Sequence, residues 1–236
     1  NRGYQINKIS TLDFLNRLLD SYISLNSNIT FIQIGANDGQ RFDPVYSFVK
    51  RNKAHVKGIV IEPIKLYYDE LEETYKNFAN IIPVNKAIHN DKKVMEMYKV
   101  NPDTIIEKHL PSFVKGISSF NKDLLLTAVE EEDILKEEVV CISLSDLIEQ
   151  NNFKSFDFLQ IDAEGYDYEI IINFNFSLSK PKIISFEHGL LDGNRGTPHM
   201  DDSQFQKVKD ILHKNGYELW VEKYDAVAFI PGLLNK

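Results

Sequence analysis

Side chains that could bind a ligand or transfer a proton occur at five places, each directly after a short apolar segment. They are residues 35–39, Glu62, Asn85, residues 162–165 and residues 187–188. The apolar segments have the length and composition of buried parallel strands. Because open α/β sheets bind ligands at the carboxyl ends of their strands, these residues are expected to form one site.

The first of these places is a turn bounded by Gly35 and Gly39. Glycines permit a tight turn and let a ligand approach the backbone closely. The spacing G-x-x-x-G differs from the dinucleotide pattern G-x-G-x-x-G, and the turn lacks the Lys-Ser/Thr pair of a phosphate-binding loop. Asn37 and Asp38 favour a ligand with ammonium or hydroxyl groups over a bare pyrophosphate. A plain strand-to-helix turn is the alternative.

Glu62 stands at the end of the second predicted strand, which Pro63 breaks. An ionised carboxylate at this position can accept hydrogen bonds from both hydroxyl groups of a ribose. A cap for the following helix is the alternative role. The glycine turn and Glu62 together favour a nucleoside-like cofactor.

The elements that must position these residues alternate between strand and helix. Strand–helix units that recur at about 25 residues indicate βαβ crossovers and a parallel sheet. The predicted strands are residues 30–34, 58–62, 81–84, 93–100, 139–142, 156–161 and 183–186, with a closing antiparallel pair at 217–221 and 226–230. The predicted helices are residues 10–26, 43–50, 65–78, 143–150, 166–173 and 204–214.

The chain is interpreted as a single domain over residues 1–236, without an internal repeat or a linker. Residues 1–29 are expected to form an N-terminal helical extension, and residues 91–138 an inserted loop or lid region. Within the insertion, residues 101–116 are expected to be a loop, of which 108–115 could face the substrate. The acidic run 130–133 is expected to be a solvated face. Arg195, in a loop after the last parallel strand, could bind an acidic sugar or phosphate.

The amino-acid composition restricts which partners the protein could bind and in which cellular compartment it is expected. The 35 acidic residues outnumber the 27 basic ones, and the formal charge of −8 argues against nucleic acid as a partner. No apolar run approaches the roughly 18 residues that a membrane span needs. Cys141 is the one cysteine, so no intrachain disulfide can form, which fits a reducing, cytoplasmic location.

The chain resembles the FkbM family of class I S-adenosylmethionine-dependent methyltransferases over roughly residues 30–188. The resemblance is carried by FIQIGANDG (31–39), VIEP (60–63), NKAI (85–88), GISSF (116–120), FDFLQIDAEGYD (156–167) and ISFEH (184–188). The DAEGY segment after a strand is the most specific part. The resemblance implies a Rossmann-like α/β fold with a mostly parallel seven-stranded sheet, helices on both faces and a C-terminal antiparallel hairpin.

The resemblance also implies roles for individual residues. The turn from Gly35 to Gly39 would wrap the methionine part of S-adenosylmethionine, and Glu62 would hold the ribose hydroxyls. Asn85, Lys86 and Ala87 would lie near the adenine. Asp162 would face the methionine ammonium or the reacting hydroxyl. The cofactor-binding residues are thus predicted to be Gly35, Asn37, Asp38, Gly39, Glu62, Pro63, Asn85, Ala87, Ser118, Asp162 and Glu164.

In this family the acceptor is typically a hydroxyl of a surface-glycan sugar or a polyketide-type natural product, so a small-molecule or glycan hydroxyl is the expected partner. Methyl transfer to a hydroxyl requires a group that removes its proton. The candidate bases are His188, Asp162, Glu187 and Glu164. His188 has the best unperturbed pKa for neutral pH, and because it directly follows a strand its side chain is expected to face the cleft. A structural role remains the alternative for His188 and Glu187.

Asp162, Glu164 and Glu187 could instead bind Mg²⁺, which prefers oxygen ligands and would acidify the acceptor hydroxyl. A metal-free site is the main expectation, and the lack of a cysteine pair argues against zinc. Three other functions stay open. The first is a dehydrogenase, but the chain lacks the glycine motif of that class. The second is a metal-dependent hydrolase that uses these carboxylates and His188, which would leave the glycine turn and Glu62 unexplained. The third is a non-catalytic module that binds the cofactor without turnover.

Overall fold

The computed structural model describes residues 10–41, 43–189, 200–222 and 224–235. Its strands are β1 (Ile29–Ile34), β2 (Val56–Ile61), β3 (Ile81–Val84), β4 (Ala87–Ile88), β5 (Val94–Val100), β6 (Ser118–Ser119), β7 (Ile134–Ile142), β8 (Phe158–Ile161), β9 (Ile183–Glu187), β10 (Glu218–Val221) and β11 (Asp225–Phe229). Its α-helices are α1 (Thr11–Asn26), α2 (Tyr46–Arg51), α3 (Lys65–Tyr75), α4 (Pro102–Glu107), α5 (Lys122–Leu125), α6 (Leu144–Gln150), α7 (Asp167–Ile172) and α8 (Asp202–Lys214).

The main sheet has seven strands in the order β3-β2-β1-β8-β9-β11-β10. Neighbouring strands are parallel except at β11, which runs antiparallel to both β9 and β10. The chain reverses its direction of winding between β1 and β8, and this is the place where doubly wound sheets bind ligands. The predicted Rossmann-like fold, with a mostly parallel seven-stranded sheet and a C-terminal antiparallel hairpin, is confirmed.

Helices cover both faces of this sheet because the central strands are apolar on both sides. On one face, Leu15 and Leu19 of α1 share a core with Phe31 and Phe158. On the other face, α6, α7 and α8 pack with alternate residues of the same strands, such as Ile32. The two cores hold the sheet as a rigid support, and most of its polar residues lie toward the carboxyl ends of the strands.

The inserted region has more regular structure than the sequence predicted. A second sheet has the order β4-β7-β5-β6, and β7 starts at Ile134, five residues before the predicted 139–142. The first half of β7 is charged and half-exposed, so its sequence lacks the apolar pattern by which a strand is predicted. It is held by antiparallel pairing along all of β5 and by cross-strand ion pairs, among them Lys99–Glu137 at 2.6 Å.

Two expectations about this region are corrected. Residues 101–116 are not one loop, because the Asn101 side chain caps α4, Pro102 occupies the first turn, and a 3-10 helix spans Ser112–Gly116. The acidic run is not wholly solvated. Asp133 is buried, and both of its carboxylate oxygens lie 2.8 Å from Nζ of Lys108.

Candidate functional site

A cavity of about 690 Å³ lies across the carboxyl ends of β2, β1, β8 and β9, and the inserted region forms its outer wall. Its volume is in the range of sites that bind nucleoside-sized ligands. Of the residues predicted from the sequence, the lining contains Gly35, Asn37, Glu62, Pro63, Ala87, Ser118, Asp162, Glu164 and Glu187. The strand ends therefore meet as the sequence predicted, and four predicted residues lie elsewhere.

The glycine turn is shaped by its contact with the β8 loop. Gly35 has φ +76°, and a Cβ at this position would lie 1.7 Å from the backbone oxygen of Asp162. Only glycine lets the two loops come this close. Asn37 also has positive φ, 45°, so the turn presents its backbone to the cavity in a conformation that few residues adopt.

Asp38 and Gly39 build this turn and do not line the cavity. Oδ1 of Asp38 accepts hydrogen bonds from the backbone N–H groups of Gln40 (2.9 Å) and Arg41 (2.8 Å). Gly39 has φ +72°, and an added Cβ would meet the side chains of Leu71 and Tyr75. Both residues therefore fix the shape of the turn from behind.

Glu62 is buried at the end of β2, with 4 % of its surface exposed. Its two carboxylate oxygens accept backbone hydrogen bonds from Asn37 (2.9 Å) and Ile64 (2.8 Å). Burial raises the pKa of Glu62 to about 8, although both hydrogen bonds favour the ionised form. Each oxygen keeps a further lone pair for a ligand hydroxyl.

Asn85 supports Glu62 from outside the cavity. Its side-chain amide donates to the backbone oxygens of Glu62 and Pro63, each at 2.9 Å. This pair of bonds ties the end of β3 to the end of β2. The residues that follow, Lys86 and Ala87, do line the cavity.

The opposite half of the cavity is rich in carboxyl groups. Asp162, Glu164 and Glu187 line it, and the fully buried Asp167 links the ends of β8 and β9 by accepting from the backbone N–H groups of Ala163 (3.1 Å) and Glu187 (3.3 Å). Glu164 has φ 45°, an uncommon conformation for a residue with a side chain. Its backbone oxygen accepts a hydrogen bond from Oγ of Ser119 in the inserted region, at 2.7 Å.

Burial, and then the proximity of other acids, raises the pKa values of these carboxyl groups. Burial, followed by the charges of Asp167 and Asp225, raises the pKa of Asp162 to about 7. Burial and the nearby carboxylates raise the pKa of Glu164 and Glu187 well above their usual range. A cation placed in this half would favour the ionised acids, so the electrostatics suit a positively charged ligand.

His188 does not line the cavity, so its predicted orientation is wrong. Its Nε2 lies 2.9 Å from the backbone oxygen of Glu222, and its ring stacks on Phe205 at 4.2 Å between centroids. Burial lowers the pKa of His188. The side chain packs between α8 and the C-terminal hairpin, since the residue after β9 turns away from the cleft.

The magnesium alternative is not supported. No group of three or more His, Cys, Asp or Glu side chains among the described residues is arranged to hold a metal ion. The carboxylates therefore lie near enough to raise each other's pKa without converging on one point. Arg195, the other predicted acceptor contact, lies outside the described residues.

The sequence interpretation missed a row of polar side chains inside the central strands. Gln33, Gln160 and Ser185 line the cavity below its mouth, and each is less than 7 % exposed. Asp43 and Asp225 also line it. A glutamine in an otherwise apolar strand is the pattern that could have indicated them, because a buried strand flanked by two cores has no structural need for an amide.

An aromatic wall forms where Phe120 of the inserted region meets residues that follow β4 and β8. Phe120 and Tyr166 line the cavity and meet edge to face with ring centroids 5.2 Å apart, and His89 stacks on Tyr166 at 5.3 Å. Lys115 reaches from the insertion to Glu70 and, at 3.6 Å, to Asp38 of the glycine turn. The insertion is thus fastened to both loops that border the cavity.

This fold and pocket have the arrangement of an S-adenosylmethionine-dependent methyltransferase. A family model described as the methyltransferase FkbM domain matches residues 33–219, and the chain therefore belongs to the FkbM methyltransferase family. No curated protein sequence matches the chain. No helix in the described ranges has the length and apolar character needed to cross a bilayer.

Three solved structures illustrate the similarity. An O-methyltransferase from Bacillus cereus in complex with SAH has a TM-score of 0.46 and 10 % identity, over 95 % of this chain and 84 % of that one. A putative caffeoyl-CoA O-methyltransferase from Staphylococcus aureus has a TM-score of 0.48 and 12 % identity, over 96 % and 85 %. Precorrin-6y C5,15-methyltransferase from Geobacter metallireducens GS-15 has a TM-score of 0.44 and 13 % identity, over 95 % and 92 %.

Proposed function

We propose that this methyltransferase transfers a methyl group to a hydroxyl oxygen of a sugar or of a glycosylated or polyketide natural product. The observation that carries the proposal is the series of carboxyl groups along one edge of the sheet, from Glu62 on β2 through Asp162 after β8 to Glu187 on β9. Such an edge favours a cationic nucleoside and disfavours phosphate-bearing cofactors such as NAD.

The residues present fit S-adenosylmethionine. Glu62 would hold the two ribose hydroxyls on its free lone pairs, and the backbone at Gly35 and Asn37 would lie against the methionine part. Pro63, Ala87 and Ser118 would border the adenine, and the carboxyl group of Asp162 would face the ammonium or sulfonium charge. When bound, the cofactor supplies a methyl group on a sulfonium, which is electrophilic enough for direct attack by an oxygen.

Asp162 is the proposed general base. Asp162 lines the cavity at the end of β8, and burial raises its pKa to about 7 in the ligand-free protein, whereas His188 lies outside the cavity. The Asp162 carboxylate would take the proton of the acceptor hydroxyl while that oxygen forms its new bond to carbon. Glu187, with its strongly raised pKa, is protonated at neutral pH and would donate a hydrogen bond to the acceptor.

Calorimetric titration with S-adenosylhomocysteine and with NAD tests the cofactor assignment. We expect S-adenosylhomocysteine to bind and NAD not to bind. In Glu62→Gln one ribose acceptor becomes a donor, and affinity should fall at least tenfold, which is about 1.4 kcal/mol. Glu73→Gln, on the exposed side of α3, is the matched control. Binding of NAD in preference would contradict the assignment.

Product analysis tests the reaction. With labelled S-adenosylmethionine, a methyl glycoside and the corresponding amino-sugar glycoside, mass spectrometry should locate the new methyl group on oxygen in both products. A methyl group found on the amine would contradict the O-methylation proposed here. Tight cofactor binding with no transfer to any hydroxyl acceptor would favour the non-catalytic module.

A further inference from the structure

Three polar side chains stand side by side on adjacent strands of the main sheet. Gln33 on β1 pairs in register with Gln160 on β8, which pairs with Ser185 on β9. In a sheet, residues in register on neighbouring strands point to the same face. The preceding positions on that face, Phe31 and Phe158, belong to the apolar core under α1. The row therefore lies where that core ends and the cavity begins.

The row contains hydrogen-bonding capacity that the described residues do not use. The amide oxygens of Gln33 and Gln160 are buried and have no hydrogen-bond partner in the part of the chain that the structure describes. The amide nitrogen of Gln160 makes only a long contact, 3.4 Å, to the backbone oxygen of Ile161. Buried polar atoms without partners are costly and rare, so their presence facing a cavity points to a ligand.

The position of the row separates it from the residues proposed for the cofactor. The mouth of the cavity lies two residues further along the chain from the row, at Asp162 after β8 and at Glu187, the last residue of β9. Glu62 and the glycine turn lie toward β2, on the other side of β1. A ligand on the row would thus approach Asp162 from the side opposite the ribose site.

The rest of this compartment has one apolar wall. Leu12 and Leu15 at the start of α1, together with Pro44, line the same cavity. Hydrogen bonds from the backbone N–H and Oγ1 of Thr11 to Glu222, at 2.7 and 3.0 Å, hold the start of α1 in place. A polar floor opposite an apolar wall matches a pyranose ring, which has hydroxyl groups at its edge and C–H groups on its face.

The hydrogen-bonding groups of the row favour one kind of sugar ring. A carboxamide both donates and accepts, as a hydroxyl group does, so amides suit a polyol better than a group that only donates. Three further acidic residues, Asp43, Asp162 and Asp225, line the same compartment, and their ionised forms would repel a second carboxylate or a phosphate.

We propose that Gln33, Gln160 and Ser185 form the acceptor subsite, and that it binds an uncharged polyhydroxylated ring and rejects acidic sugars. This inference rests on the proposed hydroxyl-methylating function and names its substrate class. It makes the two glutamines specificity-determining residues that contact the acceptor and not the cofactor.

The test uses the protein saturated with S-adenosylhomocysteine and two probes that differ in one group, methyl glucoside and methyl glucuronide. Binding is followed by saturation-transfer NMR and titration. We expect methyl glucoside to bind at least tenfold more tightly than methyl glucuronide at pH 7.5. Gln33→Leu and Gln160→Leu should each lose at least tenfold in glucoside affinity while S-adenosylhomocysteine affinity changes less than twofold. Gln206→Leu, on the exposed side of α8, is the control.

The variants also report on folding. If the row serves a ligand, Gln160→Leu leaves the Tm unchanged or raises it, because an unpartnered amide oxygen is removed. Gln33→Leu also removes the side-chain hydrogen bond that favours the ionised form of Asp43, so its Tm does not report on the inference. If either leucine variant fails to fold, Ser185→Ala removes one hydroxyl group with little change in volume, and it should weaken glucoside binding alone. The inference would be overturned by any of three results: neither probe binds, the glucuronide binds more tightly than the glucoside, or the variants bind the glucoside as wild type does. Failure to bind S-adenosylhomocysteine would instead overturn the proposed function.

Discussion

The two halves of the cavity are built in opposite ways. On the β2 side, Glu62 is already held by the protein, since both of its carboxylate oxygens accept backbone hydrogen bonds and Asn85 binds the backbone of Glu62 and Pro63. On the other side, along β1, β8 and β9, the buried amide oxygens of Gln33 and Gln160 lack partners in the described residues, and buried acids crowd together with raised pKa values. A preformed site suits a ligand shared by a whole family. A site with unpaired buried polar atoms suits a ligand that supplies the missing hydrogen bonds.

Gly35→Ala should produce the largest effect, because it breaks the contact that joins the two halves. The added Cβ would overlap the backbone oxygen of Asp162 in a positive-φ conformation. We expect a loss of about 3 kcal/mol or more in the free energy of unfolding, together with loss of cofactor binding. Urea denaturation measures it. Gly116→Ala is the matched control, since an added Cβ there meets nothing within 4 Å. Equal stability of the two variants would refute the proposed close approach.

Asp162→Asn should sharpen the comparison by separating catalysis from stability. Turnover should fall about 10²-fold to 10⁴-fold as the base is lost. The folded-state pKa of Asp162 is raised above its unfolded value, so ionisation of this group opposes folding once the pH exceeds about 4, and the loss grows until the pH passes about 7. The ligand-free variant should therefore be more stable than wild type by about 1–3 kcal/mol at pH 8 and by less at pH 5.

Urea denaturation at the two pH values checks this sign, with the exposed Asp69→Asn as control. A variant that is less stable than wild type at pH 8 would show that Asp162 is held by favourable contacts in the ligand-free protein. The contrast between the two halves would then be lost.

His188→Ala should have the smallest effect on the reaction. The ring stacks on Phe205 and contacts the backbone of Glu222, outside the cavity. We expect a loss of about 1 kcal/mol in the free energy of unfolding, with kcat and its pH profile unchanged within about twofold. A collapse of kcat with an altered pH profile would return His188 to the list of bases.

The fold could be predicted well because the patterns that indicate its strands and helices lie within short stretches of the sequence. Runs such as FIQI and FDFLQI alternate with amphipathic helices, and this order alone indicates a parallel sheet. The glycine turn and Glu62 were recognisable for the same reason, since each follows its strand directly. Nine of the predicted site residues line the cavity.

What the sequence did not predict depends on contacts between distant segments. The first half of β7 is charged and gains its structure from pairing with β5, so its own pattern did not indicate a strand. The direction of the His188 side chain depends on the hairpin and α8, which follow later in the chain. Gln33, Gln160 and Ser185 form a row because their strands pair in this register, and the spacing of residues along the chain does not reveal strand register.

The most direct test of the central claim is calorimetric titration of S-adenosylmethionine and S-adenosylhomocysteine between pH 6 and pH 8, in buffers of different ionisation enthalpy. A cation that enters the acidic half must ionise acids that are partly protonated, so S-adenosylmethionine should bind with release of protons. Its affinity should rise by about tenfold across this range, and by more than that of S-adenosylhomocysteine, which lacks the sulfonium charge. Affinity that is independent of pH, with no proton release, would contradict the account.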